Sequence, residues 1–461
     1  MSTSMTQAQR SSRFGFRFVT PLALGSTLNP INSTMISTAL APIAVAFSST
    51  VAQTGWLIAG LYLTSAIAQP MMGRLADLFG PRRIYLISLM LVAIAGVIGA
   101  LAPSLAVLVG ARVLLGVGTS GAYPSAMGLF RSQGGRHGMA PPRLALGALS
   151  FAGIATTALG PLLGGLITGA FGWHAIFTVN VPLAFVAACM VVLWVPRDTP
   201  RTAPLSNLVQ AVDLPGVALF SAALILLMTF LMNLDHLLWW TLPLLGLFWI
   251  GLTVHSLRRG QPFIDVRMLA KNLPLTISYL RIMLFLTTTY CILYGFAQWL
   301  ESCAHYCASA AGLMALPMSI LAGICSLIAA RSKGLRPAFI IGAIGSLIGC
   351  ACLIFVHSNT PAWLVASVVM FFGVPMGMTS TAAQAAIYVQ ASASEIGMAA
   401  GLQRTFSYVG AILAASLLGI IYGHQPSDSG IHALAIAITC ITVFLLIFTV
   451  FDRTVPDGSV E

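Results

Sequence analysis

Residues 73 to 90 read GRLADLFGPRRIYLISLM, and the stretch 54 to 73 that leads into them is almost wholly apolar. Arg74, Asp77, Arg82 and Arg83, with Gly73, Gly80 and Pro81 among them, thus fall between two runs that are each long enough to cross a bilayer. Such a crossing takes roughly 20 mostly apolar residues in a helix. Hydrocarbon leaves only helices and closed barrels as ways to satisfy the backbone, and barrel strands show about ten-residue alternating segments instead of continuous runs. The stretch therefore reads as a short charged loop between two spanning helices.

The rest of the chain repeats that alternation. Its 461 residues are 58% hydrophobic and only 7% charged, with a mean hydropathy of +0.93, and so few charges cannot cover a soluble surface. Dividing the chain at its charged or Pro/Gly-rich breaks predicts fourteen spans, near 18-46, 54-73, 84-102, 104-130, 144-171, 173-195, 213-234, 239-257, 275-301, 310-330, 337-357, 361-389, 396-423 and 430-451. The expected fold class is all-α, a polytopic membrane protein.

Orientation follows from the 22 Lys and Arg residues, because basic residues are retained on the cytoplasmic side. Arg10, Arg13 and Arg17 precede the first span. Arg74, Arg82 and Arg83 follow the second, Arg131, Arg136 and Arg143 the fourth, and Arg197 and Arg201 the sixth. Arg258, Arg259, Arg267 and Lys271 follow the eighth, Arg331, Lys333 and Arg336 the tenth, and Arg453 the last. None lies in a loop between an odd span and the next, so both termini are expected in the cytoplasm. That asymmetry accounts for the net charge of +11 and leaves a nucleic-acid role without support; the basic faces suit anionic lipid headgroups. The first span is too long and too polar at Asn29 for a cleaved signal peptide.

A weaker echo of the opening stretch, AARSKGLRPAFIIGAIG, stands at 329 to 345. Two six-helix pseudo-repeats are therefore expected, residues 1-195 and 258-461, joined by a cytoplasmic linker at 196-212 and an inserted helix pair at 213-257. Transporters are commonly built from such repeats, with the substrate site near the midplane where the halves meet.

These residues carry a family resemblance. GRLADLFGPRR resembles the cytoplasmic loop motif of the major facilitator superfamily, and fourteen spans with a central inserted pair resemble its drug:proton antiporter branch. ALGPLLGG (158 to 165) resembles that branch's antiporter motif, GWHAIFTVNVP (172 to 182) its entry to the sixth span, and TMISTALAPI (34 to 43) its first-helix motif. The resemblance implies proton-driven export of drug-like molecules across the cytoplasmic membrane, a monomer, no cofactor and no resident metal. It also implies a gating role for Gly73, Arg74, Asp77, Gly80, Arg82 and Arg83. Physically, Gly73 lets helix ends approach, and Asp77 can cap a neighbouring helix or pair with Arg82. Arg82 and Arg83 also read simply as topology anchors.

In the antiporter-motif helix, Gly160 and Gly164 stand one turn apart beside Pro161 and Gly165, a face suited to close packing and a kink. In the first span, LNPINSTMISTALAPIA (28 to 44) places Asn29, Ser33 and Ser37 on one polar stripe with Asn32 alongside. A lipid-facing stripe is costly, so it faces either a translocation path or other helices, with Pro30 loosening the helix at that depth. Asn32 occupies the position where the resembling branch usually has an aspartate linked to proton coupling, and an amide cannot titrate. Arg112 matches the family's arginine, whereas Leu115 replaces its usual glutamine. Glu301, where the family typically has glutamine, is the leading substitute proton carrier, and it also reads as a plain interfacial residue; Asp213 and Asp235 flank the seventh span.

Three arginines, Arg112, Arg281 and Arg404, fall inside spans with no acid in any span's central region. A cavity with uncompensated positive charge disfavours dications and favours neutral or anionic amphiphiles. Tyr62, Asn180, Gln298 and Gln403 are further polar candidates for the path, and Tyr290, Tyr294 and Trp299 add aromatic surface. The cluster ESCAHYC at 301 to 307 has donors for a metal or a disulfide, without other support for either. No adjacent acid pair or nucleophile and base set points to an enzyme. Two readings stand: an exporter of hydrophobic or amphiphilic small molecules, and a transporter dedicated to one metabolite or organic anion, as a uniporter or importer.

Overall fold

The computed structural model describes residues 15–137, 143–198, 213–233, 237–260, 262–264, 266–332, 334–390 and 396–452. Asp235, most of the 196-212 linker and the Asp77 side chain lie outside the described residues. Among the described residues the regular structure is entirely helical. α1 (Phe16–Met35) runs through a tight 3-10 turn into α2 (Leu40–Ala46), followed by α3 (Val51–Phe79), α4 (Pro81–Ala100), α5 (Leu105–His137) and α6 (Arg143–Phe171). α7 (Ala175–Thr178) and α8 (Asn180–Trp194) form one broken rod, and α9 (Leu214–Met232) and α10 (Thr241–Arg258) a hairpin. A short α11 (Val266–Lys271) leads to α12 (Leu273–Ser302). Two more broken rods, α13 (Ala308–Met314) with α14 (Leu316–Arg331) and α16 (Ala362–Met370) with α17 (Gly373–Gln390), flank α15 (Leu335–Leu353). α18 (Ile396–Tyr422) and α19 (Asp428–Phe451) close the chain. Eleven of these stretches are long and apolar enough to cross a membrane. The other predicted spans coincide with α1 and α2, with α6, and with α10.

Each break in a rod has the same cause. A proline ring clashes with the carbonyl four residues earlier and donates no hydrogen bond. Pro42, Pro182, Pro317 and Pro375 put that clash at Thr38, Thr178, Leu313 and Phe371, and the helices are interrupted at 36–38, after Thr178, after Met314 and after Met370. The loosening expected at Pro30 is therefore displaced: α1 continues through Pro30 and gives way at the turn set by Pro42. Pro21, Pro70, Pro124 and Pro161 likewise stay inside continuous helices.

Helices α1 to α8 pack mainly on one another, and α12 to α19 do the same. Contacts between the two sets are reciprocal: α3 lies on α18, and α6 lies on α13 and α14. The α9–α10 hairpin packs through α9 on α3 and α18, along one seam between the sets.

Candidate translocation pathway

A cavity of about 250 Å³ sits between the two sets of helices. Its walls include Asn29 of α1, Gln69 of α3, Thr119 and Tyr123 of α5, Thr157 of α6, Tyr290 of α12, Ser326 of α14, Ser380 of α17 and Gln403 and Arg404 of α18. Each belongs to the middle of its helix or to the part nearer the arginine-bearing loops, so the cavity occupies that end of the molecule.

The opposite end is shut by backbone. A methyl group on Gly165 would lie 2.3 Å from the Ala308 carbonyl oxygen, and one on Gly312 would lie 2.6 Å from that of Pro161. Ser309 adds a hydrogen bond from its hydroxyl to the Gly165 carbonyl at 3.1 Å. Gly164 meets Met35 in the same way, at 2.3 Å from its carbonyl, and Gly160 lies against Thr34. The glycine face of α6 thus touches α1 with one pair and the far set of helices with Gly165, a packing role as expected for that motif.

Between seal and cavity lies a polar knot. Asn32 donates to Asn180 Oδ1 at 2.5 Å and Asn180 donates back to Asn32 Oδ1 at 2.9 Å. Asn180 also donates to the carbonyls of Ile176 and Phe177, which immediately precede the break set by Pro182. Arg112, 2% exposed, donates to the carbonyls of Asn32 and Leu57, both at 3.0 Å. Tyr294 donates to the Ser33 carbonyl at 2.8 Å and its hydroxyl lies 3.0 Å from that of Tyr62, joining the two helix sets. Tyr62 also packs on Tyr290 and Tyr408 with ring centroids 5.3 and 5.4 Å apart. Tyr408 in turn donates to Gln69 at 2.8 Å. Neither Tyr408 nor Gln69 was among the sequence candidates, because a tyrosine and a glutamine on separate apolar spans show no pairing until the spans are placed side by side.

The first-helix stripe is divided by this arrangement. Asn29 lines the cavity and donates to Thr119 at 2.9 Å. The Ser33 and Ser37 hydroxyls instead bond back to the Asn29 and Thr34 carbonyls of their own helix. Gln298 is buried and donates to the Tyr294 carbonyl at 3.2 Å. Of the path candidates, Asn29, Gln403 and Arg404 border the cavity, whereas Asn32, Ser33, Tyr62, Arg112, Asn180 and Gln298 do not.

The three intramembrane arginines also separate. Arg281 is not uncompensated: it pairs with Asp452 at 2.5 Å, between the rings of Phe339 and Phe448. Arg112 is bound to carbonyls, and Arg404 alone of the three faces the cavity.

On the side of the arginine-bearing loops the gating loop has a partner that the sequence did not reveal. Gly80 has φ +99°, a left-handed value, and a methyl there would lie 2.4 Å from an Asp198 oxygen. Asp198 accepts the backbone N–H groups of Arg82 and Arg83 at 3.1 and 3.0 Å, capping α4 where the helix dipole favours a negative charge. The Arg82 side chain donates to the Val192 carbonyl at 3.0 Å. Gly73 meets Pro124 only at an ordinary 3.5 Å, so close approach does not require glycine there. Arg74 reaches the hairpin side, donating to the Pro262 carbonyl at 2.8 Å. Beside it, the buried Asp213 (φ +55°) accepts from His255 Nε2 at 2.7 Å, Phe263 N–H at 2.6 Å and Gly216 N–H at 3.3 Å, with Arg259 3.4 Å away. Burial raises this carboxyl, but the bonds from His255, Phe263 and Gly216 together outweigh that and hold it below the ordinary carboxylate range. Glu301 ends α12 at the shut end with one carboxylate oxygen buried and without a hydrogen-bond partner among the described residues.

Two sets of helices that meet at a cavity displaced toward one end, with backbone packed on backbone at the other, is transporter architecture, and the sequence agrees. A family model described as Major Facilitator Superfamily matches residues 22–415. The chain belongs to the Major Facilitator Superfamily. It is thus a multi-pass membrane transporter of small molecules and not an enzyme. It is 32% identical over 413 residues to the uncharacterized MFS-type transporter YwoD of Bacillus subtilis, covering 88% of this chain and 90% of that one. It is 28% identical to the multidrug efflux pump LfrA of Mycolicibacterium smegmatis, over 87% of this chain and 79% of that protein. Among solved structures, the inward open xylose transporter XylE from E. coli aligns over 97% of both chains with a TM-score of 0.65 and 14% identity, a likeness of fold alone.

Proposed function

We propose that this superfamily member is an exporter of hydrophobic or amphiphilic small molecules, working by alternating access across the cytoplasmic membrane. The observation that carries the reading is the cavity itself, which is walled by both helix sets and lies toward the arginine-bearing loops, with backbone packed on backbone at the far end. With basic loops in the cytoplasm, both termini lie inside and this conformation faces inward. The similarity to a multidrug efflux pump supports export. The reciprocal pairing of α3 with α18 and of α6 with α13 and α14 supports two six-helix repeats, 1-195 and 258-461, with 213-257 inserted and fourteen spans in all.

Coupling to protons is the finer part of this proposal. Asn32 is locked to Asn180 and cannot titrate. Tyr290, Tyr294, Gln298 and Glu301 fall at helical spacing on one face of α12, a polar line from the cavity to the shut end. Glu301 is therefore the carboxyl assigned to the proton, loaded from outside when the seal opens. The loop motif, Gly73 to Arg83, gates the inner side together with Asp198.

Efflux from everted vesicles, with and without an imposed pH gradient, tests the reading for the native protein, Glu301→Gln and Asn32→Asp. Gradient-driven transport that Glu301→Gln uncouples is expected. Transport indifferent to the gradient in the native protein, with coupling gained by Asn32→Asp, would show a passive carrier that lacks a proton switch. That outcome favours the second reading, a carrier dedicated to one organic anion or other metabolite, which the absence of acids among the described cavity residues also suits.

A further inference from the structure

The described cavity lining contains one charged side chain, Arg404, and no Asp or Glu. Arg404 is exposed to the cavity and makes no hydrogen bond or ion pair with any described residue. The other two intramembrane arginines show what an arginine at this depth normally acquires. Arg281 has a carboxylate, Asp452, and Arg112 has two carbonyls. Charged residues within membrane spans are expensive and mark substrate paths when the protein itself supplies no counter-charge.

The surroundings of Arg404 narrow the chemistry. Tyr290, Tyr408, Ser407 and Gln403 line the same cavity. Phe285 and Leu293 give apolar surface on α12. A guanidinium fork matches a carboxylate or similar planar anion with two parallel hydrogen bonds. A single positive charge with apolar and aromatic walls around it suits one negative charge on a hydrophobic body and repels cations.

We propose that Arg404 anchors the anionic group of the cargo, so that the class of molecule held in this cavity is an amphiphilic monoanion, such as a carboxylate on an aromatic body. The proposal rests on the cavity being the transport site and specifies its ligand.

The test uses three naphthalenes that differ only in their substituent: a carboxylate, a carboxamide and a trimethylammonium. Equilibrium binding to the purified full chain is measured first and needs no assumption about direction or coupling. The carboxylate is expected to bind at least about tenfold more tightly than the carboxamide, the scale of a charge-assisted hydrogen bond, with the ammonium weakest. Arg404→Gln is expected to compress the carboxylate-to-carboxamide ratio about tenfold, and Arg404→Lys to restore part of it. Tightest binding by the ammonium, failure of the carboxylate to bind, or a ratio that Arg404→Gln leaves unchanged would overturn the assignment. Vesicle transport of the same compounds separates the two readings. A carboxylate that binds through Arg404 yet is not extruded overturns export while this proposal stands, and extrusion of the ammonium in preference to the carboxylate does the reverse.

Discussion

Arg112 and Arg404 are both arginines on apolar helices, and from sequence alone they look alike. Arg112 lies in the sealed half of the interface, 2% exposed and bound to the carbonyls of Asn32 and Leu57. Arg404 lies in the open half, borders the cavity and finds no partner among the described residues. The difference teaches that depth in the membrane does not set an arginine's role. What decides it is whether the protein supplies it with acceptors, so Arg112, held by two carbonyls, is a tie within the structure and Arg404 a receptor.

The largest effect should come from cutting the tie. Arg112→Met leaves two buried carbonyls without their guanidinium and is expected to lower stability by about 2–4 kcal/mol. Transport of every cargo should fall by the same factor, measured as thermal unfolding in detergent beside efflux of the three naphthalenes. A change in charge preference like that of Arg404→Gln would break the comparison, because both arginines would then read the cargo.

Next in size is the seal itself. A branched side chain in Gly165→Val meets the Ala308 carbonyl and the Gly312 Cα, both backbone atoms that cannot rotate away. Overpacking of this kind costs about 1–3 kcal/mol and here penalises only the conformation with the far end shut. Thr157 lines the cavity, so a Thr157→Cys reporter should lose labelling from the arginine-bearing side and gain it from the other. Unchanged labelling would mean that α6 and α13 do not form the seal.

How far the sequence foretold this arrangement depends on the kind of interaction. Helices, their apolar runs and the close-packing face of Gly160, Gly164 and Gly165 are written as local patterns, and the structure keeps them. The break near Ile36 was misplaced because Pro30 and Pro42 look equivalent in sequence, yet only Pro42 has its clash at an interruption. Arg281 looked unpaired because Asp452 is 171 residues away. Asp198 was passed over as part of a polar linker, although it caps α4. Charge partners are tertiary facts, and a single sequence contains no distance between spans.

A smaller effect is expected at the mouth of the open half. The Asp213 carboxylate is held below its ordinary range, so its contribution is complete above about pH 4 and is lost as pH falls through its depressed native value. Asp213→Asn removes the negative charge and turns one of the two acceptor oxygens into a donor, so that either His255 or Phe263 loses its partner, and should lower stability by about 1–2 kcal/mol at neutral pH. The variant's unfolding should also depend less on pH on the acid side. Equal acid sensitivity in the two proteins would remove Asp213 as the hub that holds the hairpin to the segment contacted by Arg74.

The smallest change sits on the boundary between the two regions. Tyr294→Phe keeps the ring stacked on Tyr290, whose centroid is 5.5 Å away, and deletes only the hydroxyl that donates to Ser33 and meets Tyr62. The two neutral hydrogen bonds that end at this hydroxyl together contribute about 1–2 kcal/mol, and loss of the ring's contacts does not enter. Because Ser33 and Tyr62 belong to one helix set and Tyr294 to the other, that energy is expected to appear in the opening equilibrium more than in unfolding. Labelling of the Thr157→Cys reporter from the far side should rise at least about fivefold while the unfolding midpoint barely moves. A lowered midpoint with unchanged labelling would place Tyr294 with Arg112, as part of the fold, and leave the moving contact to the glycines of α6.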